Sequence, residues 1–288
     1  PPPEPPPAGT YGVVYAYPKI RWSEADRLDI RQHFEYLSGL GVHTIVQTFS
    51  SRLIGTGTEA EWLILLDEAQ QAGIQVVARL WPLEDWNDLE FDLGPIQQFF
   101  SVVQDHPALL AYLGLHEPLE QFDSDQLREY YRAVKSLAPE LPIAHNMANP
   151  AYYDRSPRWP NRDFSSDMCD ICVVWYYPVR YIHGRPILEK KLFRKMLREN
   201  RRLIDRQAPD TQLWCLGQAF SHLQHPRQLR MPTPEEMEKI YMAADHEGVD
   251  GFLWYPWAHD DYDQVLGDPD MDPQRQAVRD IYESHILP

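Results

Sequence analysis

Basic residues are scarce in this 288-residue chain: 27 Lys and Arg face 43 Asp and Glu, a formal net charge of −16. Nucleic acid and anionic membranes both need a cationic face, so neither is expected as a partner, and neutral or cationic ligands fit better. No apolar run approaches the ~20 residues of a membrane-spanning helix. The glycine-rich phosphate cradles are missing too: there is no GxGxxG turn after the first strand and no P-loop. A GxSxG turn for a nucleophilic serine is also lacking. Cysteine is almost absent, and the three present cannot all pair. Cys169-x-x-Cys172 falls in a strand pattern whose alternation predicts opposite faces, so small buried residues are expected rather than a redox or zinc site. Closely spaced His, Asp and Glu are lacking, which leaves His116, His145 and His259, at three separate strand ends, as the ligands a metal could recruit. The expectation is no metal and no cofactor.

Aromatics and proline are abundant, with 9 Trp, 16 Tyr and 26 Pro. Residues 1–10 open on Pro1-Pro2-Pro3-Glu4-Pro5-Pro6-Pro7 and read as a stiff polyproline-II tether. Tethers of this kind follow lipoprotein and secretion signals, so an extracellular or cell-envelope location is expected. The remainder, 11–288, has the length of one large domain.

The order of elements is regular. Strand patterns fall at 11–16, 42–47, 74–80, 108–115, 143–146, 171–175, 212–217 and 250–255. Helical patterns of 3.6 spacing lie between most of them, and a last one spans about 273–285. Glycines Gly41, Gly73 and Gly248 end helices, and Thr233-Pro234-Glu235-Glu236 is a capping box with Pro at the first helical position. The exception is the connection from strand 5 to strand 6, where a long polar, aromatic stretch (147–167) has no helical period. A basic helix is expected over about 188–207. Eight buried strands alternating with helices predict an α/β fold, a single closed (β/α)8 TIM barrel.

In such a barrel, chemistry sits at the C-terminal ends of the strands. The stretch from His106 to Pro118 ends a buried strand in His116 and Glu117, with Pro118 as the stop. A carboxyl group there, walled by aromatics, is the setting that raises a Glu pKa and makes a general acid. The other strand ends supply Tyr15, Tyr17, Gln47, Arg79 and Trp81 on one side. Opposite them come His145, Asn146, Trp175, Tyr176 and Gln218. Strand 8 adds Tyr255, Trp257, His259 and Asp260. Hydrogen-bonding amides and imidazoles alternating with large rings suit a polyhydroxylated ligand: rings stack on sugar C–H faces, and Asn, Gln, His and Arg bind hydroxyls.

Strand 4, ending in Glu117-Pro118 after His-Pro-Ala-Leu-Leu-Ala-Tyr, resembles the acid/base strand of (β/α)8-barrel glycoside hydrolases. It also resembles glycosidase-like barrels whose strand 4 ends in Asp-Glu-Pro. Gln218-Ala219-Phe220, the Pro-Thr-Pro-Glu-Glu helix start and Gly251-Phe252-Leu253-Trp254-Tyr255 are similar to the same families, over most of 11–286. The resemblance implies that Glu117 is the proton donor and that the aromatic rim binds saccharide. Two departures stand out. Many retaining members place a nucleophilic Glu where this chain has Gln218, and Asn or Asp where it has His116. The strand ends therefore do not supply the carboxylate pair of a retaining enzyme.

Three readings follow. Asp260 or Asp261, or Glu84 or Asp85, activates water in an inverting reaction. A substrate acetamido oxygen is the nucleophile, with Tyr176 and Trp254 or Trp257 shaping the pocket. Or the barrel binds glycan without cleaving it, as one module of a surface protein. The first is the leading expectation: a hydrolase of a neutral or amino-sugar-containing glycan, with Glu117 and Asp260 catalytic and the remaining rim residues in contact with a carbohydrate substrate.

Overall fold

A computed structural model describes residues 9–15, 17, 19, 21–81 and 92–287. The Pro-rich start and two of the candidate carboxylates, Glu84 and Asp85, lie outside the described residues. Eight strands close into an all-parallel barrel: β1 (Thr10–Val14), β2 (Thr44–Ser50), β3 (Gln75–Trp81), β4 (Leu109–His116), β5 (Ile143–Ala148), β6 (Ile171–Trp175), β7 (Gln212–Gln218) and β8 (Gly251–Tyr255). Each pairs with its sequence neighbours, and β8 closes on β1 with Thr10 opposite Gly251.

Alternation divides every strand between two cores. Val14, Val46, Val77, Ala111, Ala144, Ile171, Val173, Trp214, Leu216 and Leu253 fill the interior. Their neighbours, such as Ile45, Phe49, Tyr112, Cys215 and Trp254, face the helices. Trp214, nearer the N-terminal end of the barrel, is the largest interior side chain. A Cβ on Gly251 beside it would lie 2.7 Å from the indole, so only glycine leaves room for that ring.

Seven helices of two turns or more surround the barrel among the described residues: α1 (Arg27–Gly39), α2 (Glu61–Gln71), α3 (Gly94–Val103), α4 (Ser124–Leu137), α5 (Lys190–Gln207), α6 (Pro234–His246) and α7 (Asp272–His285). Each buries a stripe, as with Leu127, Tyr130 and Val134 on α4. Reciprocal capping boxes start α4 at Asp123 and α6 at Thr233. Between β5 and β6 one helical turn, Pro150–Tyr153, stands where the other units have a full helix.

Two details differ from the sequence reading. A hairpin of Val179–Ile182 with Arg185–Leu188 precedes α5. Its turn residues His183 and Gly184 both have positive φ, the geometry that matches the twist of paired strands. Cys169 lies before β6 rather than in it, and its side chain packs in the same outer core as that of Cys172 instead of facing away. Both thiols are buried and unbridged, and burial holds Cys169 protonated. Among the described residues no helix is long and apolar enough to cross a membrane.

Candidate active site

The C-terminal mouth of the barrel opens into a cavity of about 490 Å³ floored by Trp214, Leu216, Val173 and Ala144. Glu117, His116, Asn146, Arg79, Trp175 and Tyr255 of the expected set all line it. Backbone irregularity aims them. The β4–β5 register shifts between Leu113 and His116, which brings His116 and then Glu117 to the mouth. Glu117 takes a left-handed conformation (φ 50°, ψ 45°), with its N–H donating to Asn146 O at 2.7 Å. Tyr15 (φ 55°) and Ala148 (φ 56°) do the same after β1 and at the end of β5. Each such residue costs about 1–2 kcal/mol, and strain of this kind clusters at functional sites.

The Glu117 carboxyl is half-buried, and its pKa is raised by that burial and then by the negative charge of Glu120 one helical turn later. The Trp175 indole N–H approaches it and pulls the other way, without reaching a standard hydrogen bond. Beside it, Asn146 Oδ1 accepts from Ala148 N (3.3 Å), which turns Nδ2 toward His116 Nδ1 at 3.0 Å. An amide nitrogen donates, so His116 Nδ1 accepts and the proton of the neutral ring sits on Nε2, 3.8 Å from Glu117 Oε1. The ring stays neutral because burial, and then the Arg79 guanidinium, push its pKa down to about 4, although half of it faces the open cavity. Arg79 Nη1 donates to the Tyr15 hydroxyl (3.1 Å), and its guanidinium lies 4.8 Å from the Trp81 ring.

Several expected contacts lie elsewhere, and strand alternation explains most of them. His145 points outward, fully buried against Tyr130, with Nδ1 accepting from Leu115 N (2.9 Å) and its pKa pushed to about 3 by burial. Tyr176 also points away and donates to Glu189 Oε2 (2.6 Å), while the next residue, Tyr177, turns in and stacks on Trp175 at 4.9 Å. Trp257 packs on His33 and Tyr36 of α1, and Trp254 donates to the Tyr11 hydroxyl in the outer core. Gln47 is consumed by backbone: Oε1 accepts from Tyr17 N (2.9 Å), and Nε2 donates to Tyr17 O and Lys19 O at 3.1 Å each. The Tyr17 hydroxyl donates to Asp29.

Gln218 is fully buried and sewn in. Its Oε1 accepts from Val179 N (2.9 Å), and Nε2 donates to Val179 O (2.9 Å), Arg230 O (2.8 Å) and Phe220 O (3.3 Å). Tyr17 and Gln47, with Trp81, His259 and Asp260, line a shallower groove that shares Tyr15, Arg79 and Asp261 with the main cavity. Among the described residues, the carboxylates lining the main cavity are thus Glu117 and Asp261. The Asp261 side chain is 86% exposed, 3.7 Å from His259 Nδ1.

The far wall was not legible as site. It comes from loops: Phe220, His222, His225, Arg227 and Leu229 after β7, and Tyr262 after β8. Phe220–Ser221 pairs antiparallel with Gln264–Val265, and bridges join Leu229 to Arg180 and His222, so loops after three strands form one sheet-like wall. The visible signal was His222, His225 and Arg227 crowded just past the end of a barrel strand, where loops carry function. Among the described residues no group of three or more His, Cys, Asp or Glu is placed to hold a metal ion.

No family model matches this sequence, and no curated protein is significantly similar to it. Solved structures share its architecture. A GH5_18 protein from Bifidobacterium longum subsp. longum superposes with TM-score 0.69 at 12% identity, over 98% of this chain and 80% of the other. The GH99 endo-alpha-mannosidase of Bacteroides thetaiotaomicron gives 0.63 at 11%, over 91% and 81%. An endo-1,4-beta-mannanase from Eisenia fetida gives 0.59 at 11%, over 95% and 91%. The chain has the closed (β/α)8 barrel fold that these glycoside hydrolases share.

Proposed function

We propose that this chain is a glycoside hydrolase in which Glu117 is the general acid. The observation that carries the reading is the environment of Glu117: a strand-end carboxyl held in a strained backbone conformation, facing an aromatic-walled cavity, with its pKa raised by burial and Glu120. A raised pKa keeps the proton available for transfer to the glycosidic oxygen as the bond to the anomeric carbon breaks. Asn146 and neutral His116 fix the mouth beside it, and Trp175, Tyr177 and Tyr255 offer ring faces for the sugar. Because Gln218 occupies the place of a retaining nucleophile and is saturated by backbone, the reading favours inversion. Asp261, rather than Asp260, is then the carboxylate that takes a proton from the attacking water.

The test is hydrolysis of aryl glycosides and polysaccharides by the wild type and Glu117→Gln side by side. Turnover that falls by orders of magnitude in a folded mutant supports the assignment, and equal turnover in both rejects it. The exposure of Asp261 favours a second reading, a barrel that binds glycan without cleaving it. An oligosaccharide recovered intact after long incubation with wild type would decide for that one.

A further inference from the structure

The charge of the cavity does not follow the charge of the chain. Over the rest of the surface, arginines are mostly matched by carboxylates: Arg27 and Arg31 by Glu68, Arg194 and Arg198 by Glu247, Arg230 by Glu236. Two arginines line the cavity, Arg79 from β3 and Arg227 from the loop after β7, and neither makes an ion pair among the described residues. Each rests on a ring instead, Arg79 on Trp81 at 4.8 Å and Arg227 on Tyr176 at 5.6 Å. Ring faces hold a guanidinium in place without using up its fork of donors.

Both guanidiniums also act on the histidines beside them, after burial. The pKa of His116 is lowered by burial and then by Arg79, and that of His225 by burial, then His222, then Arg227. Among the described residues, neither of the two carboxylates lining the cavity is ion-paired to these arginines: Glu117 stands beside His116, and Asp261 is exposed at the rim beside His259. Two guanidiniums without a carboxylate partner among the described residues, Arg79 giving one N–H to the Tyr15 hydroxyl, stand on opposite walls of a cup lined with sugar-sized ring faces and are suited to an anion with paired oxygens.

We propose that the cavity takes a sugar ring bearing an anionic substituent, a carboxylate or a sulfate ester, with Arg79 and Arg227 as its counter-ions. The inference rests on the glycosidase reading for the sugar ring, and, for the charge, on two arginines with no ion-pair partner among the described residues. It reverses the expectation of a neutral or cationic ligand drawn from the net charge: the chain as a whole carries −16, while the described cavity lining sets two arginines against two carboxylates.

The experiment is calorimetric titration of Glu117→Gln and wild type with three probe sets: galacturonate and glucuronate oligosaccharides, sulfated galactan oligosaccharides, and neutral manno- and cello-oligosaccharides. Binding of an acidic set at least about tenfold tighter than the neutral set is expected, with a further loss of about tenfold in Arg227→Met and in Arg79→Met. The preference shrinks as salt is raised. The acidic set that binds identifies carboxylate or sulfate. Arg227 is on an exposed loop, so its variant reports charge without disturbing the barrel. Equal or tighter binding of neutral probes, no binding of either acidic set, or a preference untouched by both Arg→Met changes overturns the proposal. Hydrolysis of a neutral probe by wild type would do so while leaving the glycosidase reading standing. Acidic binding with no cleavage would keep this inference and remove that reading.

Discussion

Glu117 after β4 and Gln218 closing β7 stand on the same barrel mouth with side chains of equal length and nearly equal shape. They are used in opposite ways. Gln218 spends its whole amide on backbone, tying the hairpin after β6 to the loop after β7. Glu117 makes no comparable set of bonds, sits in a strained conformation and carries a raised pKa. The structure places a carboxyl that makes no standard side-chain hydrogen bond among the described residues, and an amide where a carboxyl could not be satisfied. On the proposed reading, reactivity at one strand end depends on the other being inert, because the cavity wall that faces Glu117 is hung from Gln218.

Breaking the end proposed as reactive has the largest expected effect. Glu117→Gln should lower turnover by about 10²–10⁴-fold in steady-state assays. Urea denaturation should find its stability unchanged or slightly higher above the usual carboxylate range, since a half-buried charge has been removed. Converting the inert end comes next. Gln218→Glu turns a carboxylate toward three carbonyl oxygens and should cost about 3 kcal/mol in the same denaturation experiment. If it is neutral, the stitching role is wrong.

A finer comparison concerns pH. An acid catalyst works only while protonated, so a raised Glu117 pKa moves the alkaline limb of the rate profile above that of an ordinary glutamate. Glu120→Gln removes the neighbouring negative charge, which must lower that pKa and carry the limb to more acidic pH. A limb that stays put, or moves the other way, rejects Glu117 as the titrating group. The smallest effect is conformational. Ala148→Gly relieves a left-handed alanine at the end of β5 and should raise stability by up to about 1 kcal/mol, with turnover retained.

The barrel was legible because its signals are local and repeat eight times: buried runs, glycine stops and capping boxes such as Thr233 with Glu236. The position of Glu117 at the end of β4 was legible for the same reason. What failed was resolution within a strand end. Adjacent pairs such as His145 and Asn146, or Trp175 and Tyr176, cannot both face inward, and applying the period of two would have chosen Asn146, Trp175 and Tyr177. The hairpin and the His222–Arg227 loop were harder. Their residues follow no period, and they become a wall only through pairing with the loop after β8, which no single stretch of sequence displays.

The indole of Trp214 has one more consequence. It stoppers the barrel from below, closing the cavity on that side among the described residues. On the proposed reading, a glycan then enters and leaves at the mouth, past Arg227 and Tyr262, and is not threaded through the barrel. A longer chain would lay its continuation along the neighbouring groove where Trp81 and Asp260 stand.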